Sequence, residues 1–306
     1  MKVVACQTNP TLLDVQANLE DVIARIHRGK EKGAQLIVFP ELALTGYFVG
    51  HRYHEAALRL DSREIQRLVA ATKGTAAVVG FIEESPAMNF YNSALVATDG
   101  RIAFAYRKLN LPNYGVFEER KYFASGKRVP VFKLHDLTIA IFICNDMWHP
   151  AVPYLGICQK ADVFVAILNS AAESMGREFS NIESWEIIGK FYSRVFGIYN
   201  ILVNRVGEES YGEKEPSPVE TASDPGPPQR FHCRFWGGSE IVNPFGLAEA
   251  KAAMYQEDEL VGEISRDLLR RKKIILPYLR GDDPYFTHRE LERILYGKTK
   301  TNPEEA

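Results

Sequence analysis

The stretch Leu36-Ile-Val-Phe-Pro-Glu-Leu-Ala-Leu-Thr-Gly46 places an apolar, β-branched run directly before a proline and a carboxylate. We predict a buried strand at Gln35–Phe39. The preceding segment, Asp14–Lys32, repeats apolar residues with a helical period, which predicts a helix with one buried stripe that ends near Gly33. A second apolar run, Lys2–Thr8, precedes that helix. Strand, amphipathic helix and strand in this order are typical of a layered α/β protein.

The same pattern continues along the chain. Further strands are predicted at Ala76–Ile82, Ser93–Thr98, Thr138–Ile143, Asp162–Leu168 and Ile198–Asn204. Further helices are predicted at Glu55–Thr72, Pro150–Lys160 and Phe179–Phe196. The segment Asn92–Arg107 contains the hairpin turn signal Asp99-Gly100. A hairpin adds antiparallel pairing to the alternation of strands and helices, so we expect mixed sheets.

Composition and charge exclude several classes of function. The 306 residues are 46% hydrophobic and 25% charged, which is ordinary for a globular protein. The 37 basic and 39 acidic residues give a net charge of −2, so we expect no nucleic-acid partner. No run approaches the roughly 18 apolar residues of a membrane span, so we expect no membrane partner. Four cysteines and no signal peptide at Met1–Pro10 indicate a reducing, cytoplasmic location rather than a disulfide framework.

The segment Gly207–Arg230 differs from the rest of the chain. It contains five prolines and six acidic residues but no Leu, Ile or Phe, so it cannot form a core. Strand-like sequence resumes at Phe235–Pro244. We therefore predict one domain at residues 1–297 with a Pro-rich loop inserted at 207–230, followed by a polar tail at 298–306.

No nucleotide or metal motif accompanies this pattern. The pairs Gly29-Lys30, Gly189-Lys190 and Gly297-Lys298 lack the upstream glycine of a phosphate loop, and no Gly-x-Gly-x-x-Gly occurs. Gly237–Ile241 lacks the second glycine of a serine nucleophile elbow. His51 and His54 lie three residues apart, but no His-Glu-x-x-His or Cys-x-x-Cys motif accompanies them, and surface histidines are the simpler interpretation. We predict no metal and no cofactor.

Three segments each place a reactive side chain at the end of a predicted strand, where open α/β sheets usually hold their sites. Glu41 follows the opening strand, and shielding from water there favours a general base; a loop glutamate is the alternative. Lys108 follows the hairpin and could stabilise an oxyanion; a solvated lysine is the alternative. Cys144 follows an apolar strand and precedes a predicted helix. A helix N-terminus or a nearby cation stabilises a nucleophilic thiolate, and a packing cysteine is the alternative.

In this order, Glu41, Lys108 and Cys144 resemble the active site of the nitrilase, or carbon–nitrogen hydrolase, superfamily. The blocks that support the resemblance extend over nearly the whole chain: Ala5-Cys6-Gln7, Phe39–Leu42, Thr45–Tyr47, Arg107-Lys108, Glu119–Gly126, Ile143–Asp146, Asn204–Gly207 and Gly237–Ser239. The resemblance implies an α/β fold, a four-layer αββα sandwich with two mixed β-sheets. It also implies subunits that associate as a homodimer or a higher homo-oligomer.

The resemblance further implies a catalytic role for each residue. Cys144 is the nucleophile, Glu41 the general base and Lys108 the stabiliser of the tetrahedral intermediate. Glu119, rather than Glu118, matches the second glutamate of the family because of its spacing to Tyr122-Phe123 and Gly126, and this glutamate positions the substrate and the lysine. The implied reaction is hydrolysis of a small linear amide or N-carbamoyl compound through a thioester, with release of ammonia and without a cofactor.

Several substrates remain open at this point. Cys144-Asn145-Asp146 is similar to the N-carbamoyl-D-amino acid amidohydrolases, but Met147 and Trp148 replace the arginine pair that holds the substrate carboxylate there. Leu111–Glu119 with Tyr122-Phe123 resembles the glutaminase domain of glutamine-dependent NAD synthetases. Such a domain would act here with a separate partner or simply hydrolyse its amide. A nitrile is a further alternative. A catalytically idle scaffold is the alternative from a different class of function.

We expect the pocket wall beside the three blocks and at the next strand end. The predicted substrate-binding residues are Tyr47, Asn113, Tyr114, Asn145, Trp148, Asn169 and Ser170. The remaining cysteines, Cys6, Cys158 and Cys233, are assigned to packing or to the surface.

Overall fold

Two six-stranded mixed sheets form the framework of the protein. The computed structural model describes residues 1–172, 179–211 and 231–297. The first sheet has the order β14-β1-β2-β3-β4-β5, and its strands are β1 (Lys2–Gln7), β2 (Leu36–Val38), β3 (Ala76–Glu84), β4 (Phe90–Thr98), β5 (Arg101–Arg107) and β14 (Asp258–Glu263). Strands β1, β2 and β3 are parallel, whereas β4 and β5 form the predicted antiparallel hairpin.

The second sheet repeats this plan. It has the order β13-β12-β9-β8-β7-β6, and its strands are β6 (Val131–Leu134), β7 (Leu137–Ile143), β8 (Val163–Leu168), β9 (Tyr199–Asn204), β12 (Glu240–Val242) and β13 (Ala248–Lys251). Strands β7, β8 and β9 are parallel. A separate antiparallel pair consists of β10 (Val206–Tyr211) and β11 (Phe231–Trp236).

Helices connect and cover the sheets. They are α1 (Val15–Glu31), α2 (Arg63–Ala71), α3 (Glu119–Tyr122), α4 (Ala151–Cys158), α5 (Asn181–Phe196), α6 (Arg266–Ile275) and α7 (Pro284–Tyr296), with short 3-10 helices at Gly50–His54, Cys144–Trp148 and Tyr278–Gly281. Side chains before the longer helices cap their free N–H groups; the Asp14 carboxylate accepts from the Ala17 N–H at 3.0 Å. None of the helices in the described part of the chain is both long and apolar enough to cross a membrane.

The predicted helix Glu55–Thr72 is wrong at its start. The backbone of Leu58 bonds instead to Ile82 and Glu84 of β3, at 2.8 and 3.0 Å. Ser62 then caps the helix through its hydroxyl, which accepts from the Ile65 N–H. Because the Leu58 backbone is hydrogen-bonded to β3, the helix begins only at Arg63.

Side-chain alternation along the strands creates the layers. Val3 and Ala5 of β1 pack in one apolar cluster with Ile139 and Ile141 of β7, so the two sheets face each other. The alternate residues of the first sheet pack against α1 and α2, and those of the second sheet pack against α4 and α5. Both faces of each sheet are covered, which explains why these strands are apolar throughout. The expected αββα sandwich is confirmed.

The first residues of the segment predicted as an inserted loop form part of a strand. Gly207–Tyr211 belongs to β10, which is paired with β11. Glu209 can occupy a buried position in this strand because its carboxylate forms an ion pair with Arg205. Residues 212–230 and the tail at 298–306 lie outside the described residues, so the loop, the tail and the single-domain boundary stay predictions.

Candidate active site

The two facing sheets bring three strand ends together. Glu41 follows β2 through Phe39 and Pro40, Lys108 follows β5, and Cys144 follows β7 directly. Gly80 in β3 makes room for the backbone that carries Glu41. A Cβ on Gly80 would lie 2.3 Å from the Leu42 nitrogen and 2.4 Å from the Pro40 oxygen, which no side chain tolerates. The segment around Glu41 therefore packs directly on β3.

The Lys108 ammonium lies between two buried carboxylates. Its Nζ donates to Glu41 Oε1 at 2.7 Å and to Glu119 Oε1 at 2.6 Å. The three side chains are at most 4% exposed. Burial opposes the charge on Lys108, but the carboxylates of Glu119 and Glu41 raise the pKa of Lys108 above its usual value. Burial raises the pKa of Glu119, and Lys108 acts in the opposite direction. The structure thus brings Glu41, Lys108 and Glu119 into one cluster.

Neutral side chains complete the hydrogen bonding of this cluster. Asn92 Nδ2 donates to Glu41 Oε1 at 2.7 Å and to Glu119 Oε2 at 3.4 Å. The Tyr47 hydroxyl donates to Glu119 Oε1 at 2.6 Å. Glu41 Oε2 is buried and has no hydrogen-bond partner within the described ranges. One oxygen of Glu41 is therefore free to accept a proton.

Cys144 lies at a strained turn beside the cluster. Its φ is +43°, in the left-handed region, where it begins the 3-10 helix Cys144–Trp148. The Cys144 sulfur accepts from the Asn169 backbone N–H. Burial and the Glu41 carboxylate raise the pKa of Cys144 well above its usual value, and Lys108 opposes them only in part. Burial therefore favours the neutral thiol of Cys144, whereas the Lys108 ammonium favours the thiolate. The predicted role of Cys144 as a nucleophile stays a prediction.

Asp146 joins the Cys144 turn to the segment after Lys108. Its buried carboxylate accepts from the backbone N–H groups of Leu109 and Asn110 at 3.1 and 2.8 Å, and from the Tyr106 hydroxyl at 2.7 Å. Asp146 also accepts from the Ile143 N–H at 3.3 Å. The ends of β5 and β7 are thereby held together.

A small cavity of about 100 Å³ opens onto Cys144. Its walls are mostly aromatic and neutral, and they consist of Tyr47, Pro112, Tyr114, Phe117, Glu119, Cys144, Asn145, Trp148, Ser170, Phe179, Asn181 and Trp185. Trp148 and Trp185 meet edge to face with ring centroids 5.7 Å apart. Among the described lining residues, Glu119 is the only one with a carboxyl, amino, guanidinium or imidazole group.

The structure places five of the seven predicted substrate-binding residues on the cavity wall: Tyr47, Tyr114, Asn145, Trp148 and Ser170. Tyr114 donates its hydroxyl to Asn145 Oδ1 at 2.9 Å. Asn169 is buried and instead donates from Nδ2 to the Glu41 backbone oxygen at 2.8 Å. Asn113 is exposed and does not line the cavity, because the chain turns at Tyr114 and Gly115 and only the tyrosine reaches the wall.

Sequence reasoning missed several residues of the site. Asn92 is a strand residue whose backbone oxygen accepts from the Lys108 N–H at 2.9 Å, and nothing in its local sequence distinguishes it. Asn181 and Trp185 lie one helical turn apart at the start of α5. The sequence signal that could have identified these two residues is the spacing of one helical turn between a polar and an aromatic side chain at the start of that predicted helix.

The remaining cysteines lie outside the cluster. Cys6 and Cys233 are buried, Cys158 is partly exposed, and all four cysteines are free thiols. Burial raises the pKa of Cys6. No group of three or more His, Cys, Asp and Glu side chains within residues 1–172, 179–211 and 231–297 is arranged to hold a metal ion.

A four-layer αββα sandwich with glutamate, lysine and cysteine side chains gathered at facing strand ends defines a class, the nitrilase superfamily. The chain belongs to the carbon–nitrogen hydrolase family, whose family model matches residues 2–273. Membership in this family agrees with the αββα architecture.

Comparison with known proteins adds relatives of two kinds. The curated glutamine-dependent NAD(+) synthetase of Thermotoga maritima is 37% identical over 181 residues, which are 58% of this chain and 31% of that protein. The solved glutamine-dependent NAD+ synthetase of Acinetobacter baumannii is 25% identical with a TM-score of 0.71, over 88% of this chain and 46% of that one. This chain thus spans less than half the length of either synthetase.

A third protein matches along its whole length. The carbon-nitrogen hydrolase of Helicobacter pylori G27 is 22% identical with a TM-score of 0.74, over 96% of this chain and 98% of that one. At this identity, the likeness establishes the shared fold.

Proposed function

We propose that this protein hydrolyses the carbon–nitrogen bond of a small primary amide through a thioester on Cys144. The observation that carries the proposal is the Lys108 ammonium, which is held at 2.7 and 2.6 Å between the buried carboxylates of Glu41 and Glu119, beside the cavity that Cys144 lines. Buried, mutually bonded charges of this kind are costly to fold, and they are common where charge must be handled during catalysis.

The first half-reaction begins with a proton transfer. Because burial keeps the Cys144 pKa high, the thiol needs a base. Glu41 is that base, and its unbonded Oε2 is the atom available to take the proton. The sulfur then attacks the amide carbon. The resulting oxyanion accepts hydrogen bonds from Lys108 Nζ and from the backbone N–H that follows Cys144. Glu41 returns the proton to the nitrogen, the carbon–nitrogen bond breaks and ammonia leaves.

The second half-reaction regenerates the thiol. Glu41 removes a proton from a water molecule that attacks the thioester carbon. The carbon–sulfur bond breaks, the sulfur recovers a proton and a carboxylic acid leaves. Glu119 acts on Lys108 throughout, since its carboxylate holds the ammonium at 2.6 Å. The balance requires only water, and no cofactor takes part.

The walls of the cavity favour a small, neutral acyl group. They are mainly aromatic, and Glu119, the charged residue on the described wall, is already bonded to Lys108. An N-carbamoyl acid fits less well, because Met147 is fully buried and Trp148 packs edge to face against Trp185, at the positions where carboxylate-binding arginines would be needed. An apolar amide of a few carbon atoms satisfies this wall.

Glutamine is the second candidate substrate. The resemblance of Leu111–Glu119 to glutaminase domains supports it, because Tyr114 and Phe117 of this segment line the cavity. The relatives that are named as glutamine-dependent NAD(+) synthetases also support it. In that case the ammonia would pass to a partner protein that uses it.

Ammonia release tests both candidates directly. The panel contains acetamide, propionamide, benzamide, glutamine, asparagine, N-carbamoyl-alanine and the matching nitriles, with wild type beside Cys144→Ala. Cys158→Ala serves as the matched control, because Cys158 lies at the end of α4 outside the site. We expect turnover of a small amide that Cys144→Ala abolishes and Cys158→Ala retains. No turnover by wild type of any compound would favour the idle scaffold.

The proposed mechanism also bears on location and assembly. It requires a free Cys144 thiol, so we place the protein in the cytoplasm, where thiols stay reduced. We further propose a homodimer or higher homo-oligomer. One face of α5 exposes Ile187, Phe191 and Val195 at helical spacing, and such an apolar stripe favours self-association. Light scattering of wild type and Phe191→Glu tests this proposal, and a monomeric wild type would contradict it.

A further inference from the structure

A buried ion pair lies outside the cluster described so far. Arg205 is fully buried and bonds through Nη1 to Glu209 Oε1. Arg205 Nη2 also donates to the Pro10 oxygen at 3.2 Å, and its guanidinium stacks on the Phe235 ring at 4.2 Å from the centroid. Contacts on several sides fix the orientation of the guanidinium, so Glu209 has a rigid cationic partner.

The other side of the Glu209 carboxylate holds the backbone of the Tyr47 loop. Glu209 Oε2 accepts from the N–H groups of Tyr47 and Phe48 at 3.0 and 2.9 Å. Gly46, with a φ of +75°, allows this approach, since a Cβ there would lie 2.8 Å from Glu209 Oε1. Two successive N–H groups that face one carboxylate form an anion-binding arrangement, which here is filled by the protein's own side chain.

The Tyr47 side chain transmits this restraint to the active site. Its hydroxyl donates at 2.6 Å to Glu119 Oε1, the same oxygen that accepts from Lys108. We propose that Glu209, held by Arg205, is a positioning residue that fixes the Tyr47 backbone so that the Tyr47 hydroxyl orients Glu119 on Lys108. This inference rests on the proposed amide hydrolysis and adds to it a pair of residues that do not touch the substrate cavity.

The inference predicts a change at Glu119 when Glu209 is altered. A hydrogen bond donated to a carboxylate favours the charged form, so displacement of the Tyr47 hydroxyl raises the Glu119 pKa further. The titratable and charged groups that face Glu119 are Lys108, Glu41, Tyr47, Cys144 and Tyr114. A protonated Glu119 no longer forms an ion pair with Lys108. We therefore expect the acidic limb of the plot of turnover against pH to move to higher pH.

The test compares Glu209→Gln with Tyr47→Phe and with the double variant. Glu208→Gln is the matched control, because Glu208 is the preceding residue of β10 and its side chain is 54% exposed. Ammonia release is measured per active site titrated with iodoacetamide. The pH dependence of Cys144 alkylation, resolved by peptide mass spectrometry, is measured as well and needs no substrate.

We expect Glu209→Gln and Tyr47→Phe each to lower turnover per active site on the order of tenfold. Both should move the acidic limb of turnover to higher pH, and both should change the pH dependence of Cys144 alkylation relative to wild type. The double variant should be no worse than Tyr47→Phe, because both changes break one chain of contacts. Glu208→Gln should match wild type.

A purely structural role gives a different outcome. Glu209→Gln would then lower thermal stability or the fraction of active sites, with wild-type turnover and pH dependence per site, and this result overturns the proposal. If Glu209→Gln does not fold because Arg205 is left unpaired, the double variant Arg205→Gln with Glu209→Gln, which removes both charges, is tested instead. A wild-type pH dependence of Cys144 alkylation in that double variant would also overturn the proposal. If wild type hydrolyses no amide, the proposed function fails, but the alkylation arm still tests the positioning.

Discussion

Replacement of Lys108 by methionine removes the cation that two buried carboxylates share. Glu41 Oε1 and Glu119 Oε1 each lie within 2.7 Å of the same nitrogen, so these oxygens are at most about 5 Å apart. At an effective dielectric constant near 20, two charges at that distance repel by about 3 kcal/mol. We therefore expect Lys108→Met to lose roughly 3 kcal/mol of stability when both carboxylates are ionised, in line with the cost of breaking buried pairs.

The destabilisation should depend on pH in one direction. Without Lys108, the folded state holds at least one carboxyl with a pKa above its unfolded value, and the pKa of Glu119 is already raised by burial. Such a group favours folding at low pH, and this stability is lost as pH rises through the raised pKa. The cost of Lys108→Met is thus largest near pH 8 and smaller near pH 5, where one carboxyl is protonated and can donate a hydrogen bond to the other.

Calorimetry measures this cost. A loss of roughly 3 kcal/mol corresponds to a fall in Tm of about 6 °C for a protein of this size. Lys121→Met is the matched control, because Lys121 is 61% exposed and lies 3.7 Å from Glu118; its Tm should change by about 1 °C or less. A decrease in Tm of less than 2 °C at pH 8, or an equal decrease at pH 5 and pH 8, would refute the electrostatic reasoning.

Three further predictions concern the surroundings of the cluster. Asn92→Leu removes the donor to both carboxylates, and we expect turnover to fall at least tenfold in the ammonia assay, whereas an unchanged rate would exclude a role for this contact. Gly80→Ala forces a Cβ to within 2.4 Å of Pro40, and urea titration should show a loss of about 3 kcal/mol or more, with Gly281→Ala, in open space, as its comparison for steric cost. Iodoacetamide should alkylate free Cys144 slowly at pH 7 and faster with rising pH, because burial raises its pKa; rapid alkylation at pH 6 would indicate a thiolate instead.

Local sequence patterns were sufficient for most of the framework. The strand of the opening stretch, the helix that precedes it and the hairpin that turns at Asp99-Gly100 all depend on side-chain period and turn chemistry, which act over a few residues. The helix predicted from Glu55 fails for the opposite reason. Its first residues have helical character, but Leu58 bonds to β3, a strand that is distant from it in sequence.

The residues of the candidate site also fall into those that the local sequence predicts and those that depend on long-range contacts. Glu41, Lys108 and Cys144 were recognisable because each follows an apolar strand in a distinctive local context. The protonation state of Cys144 was not recognisable, because it depends on burial and on two carboxylates that arrive from elsewhere in the chain. Asn92 and Glu209 were missed because their roles are long-range contacts with Glu41 and with the Tyr47 backbone.

The sequence by itself thus determined the layered α/β architecture, the family resemblance and the reactive residues at three strand ends, since period and local motif need no knowledge of distant partners. Tertiary structure alone decided which carboxylates share the Lys108 ammonium, which aromatic side chains enclose Cys144 and which buried pair holds the Tyr47 loop. The physical reason is that hydrogen bonds and charges act over a few ångströms in space. Only the pairing of β2, β3, β4 and β5 within the first sheet brings residues as distant in the chain as Glu41 and Lys108 to within 2.7 Å of each other.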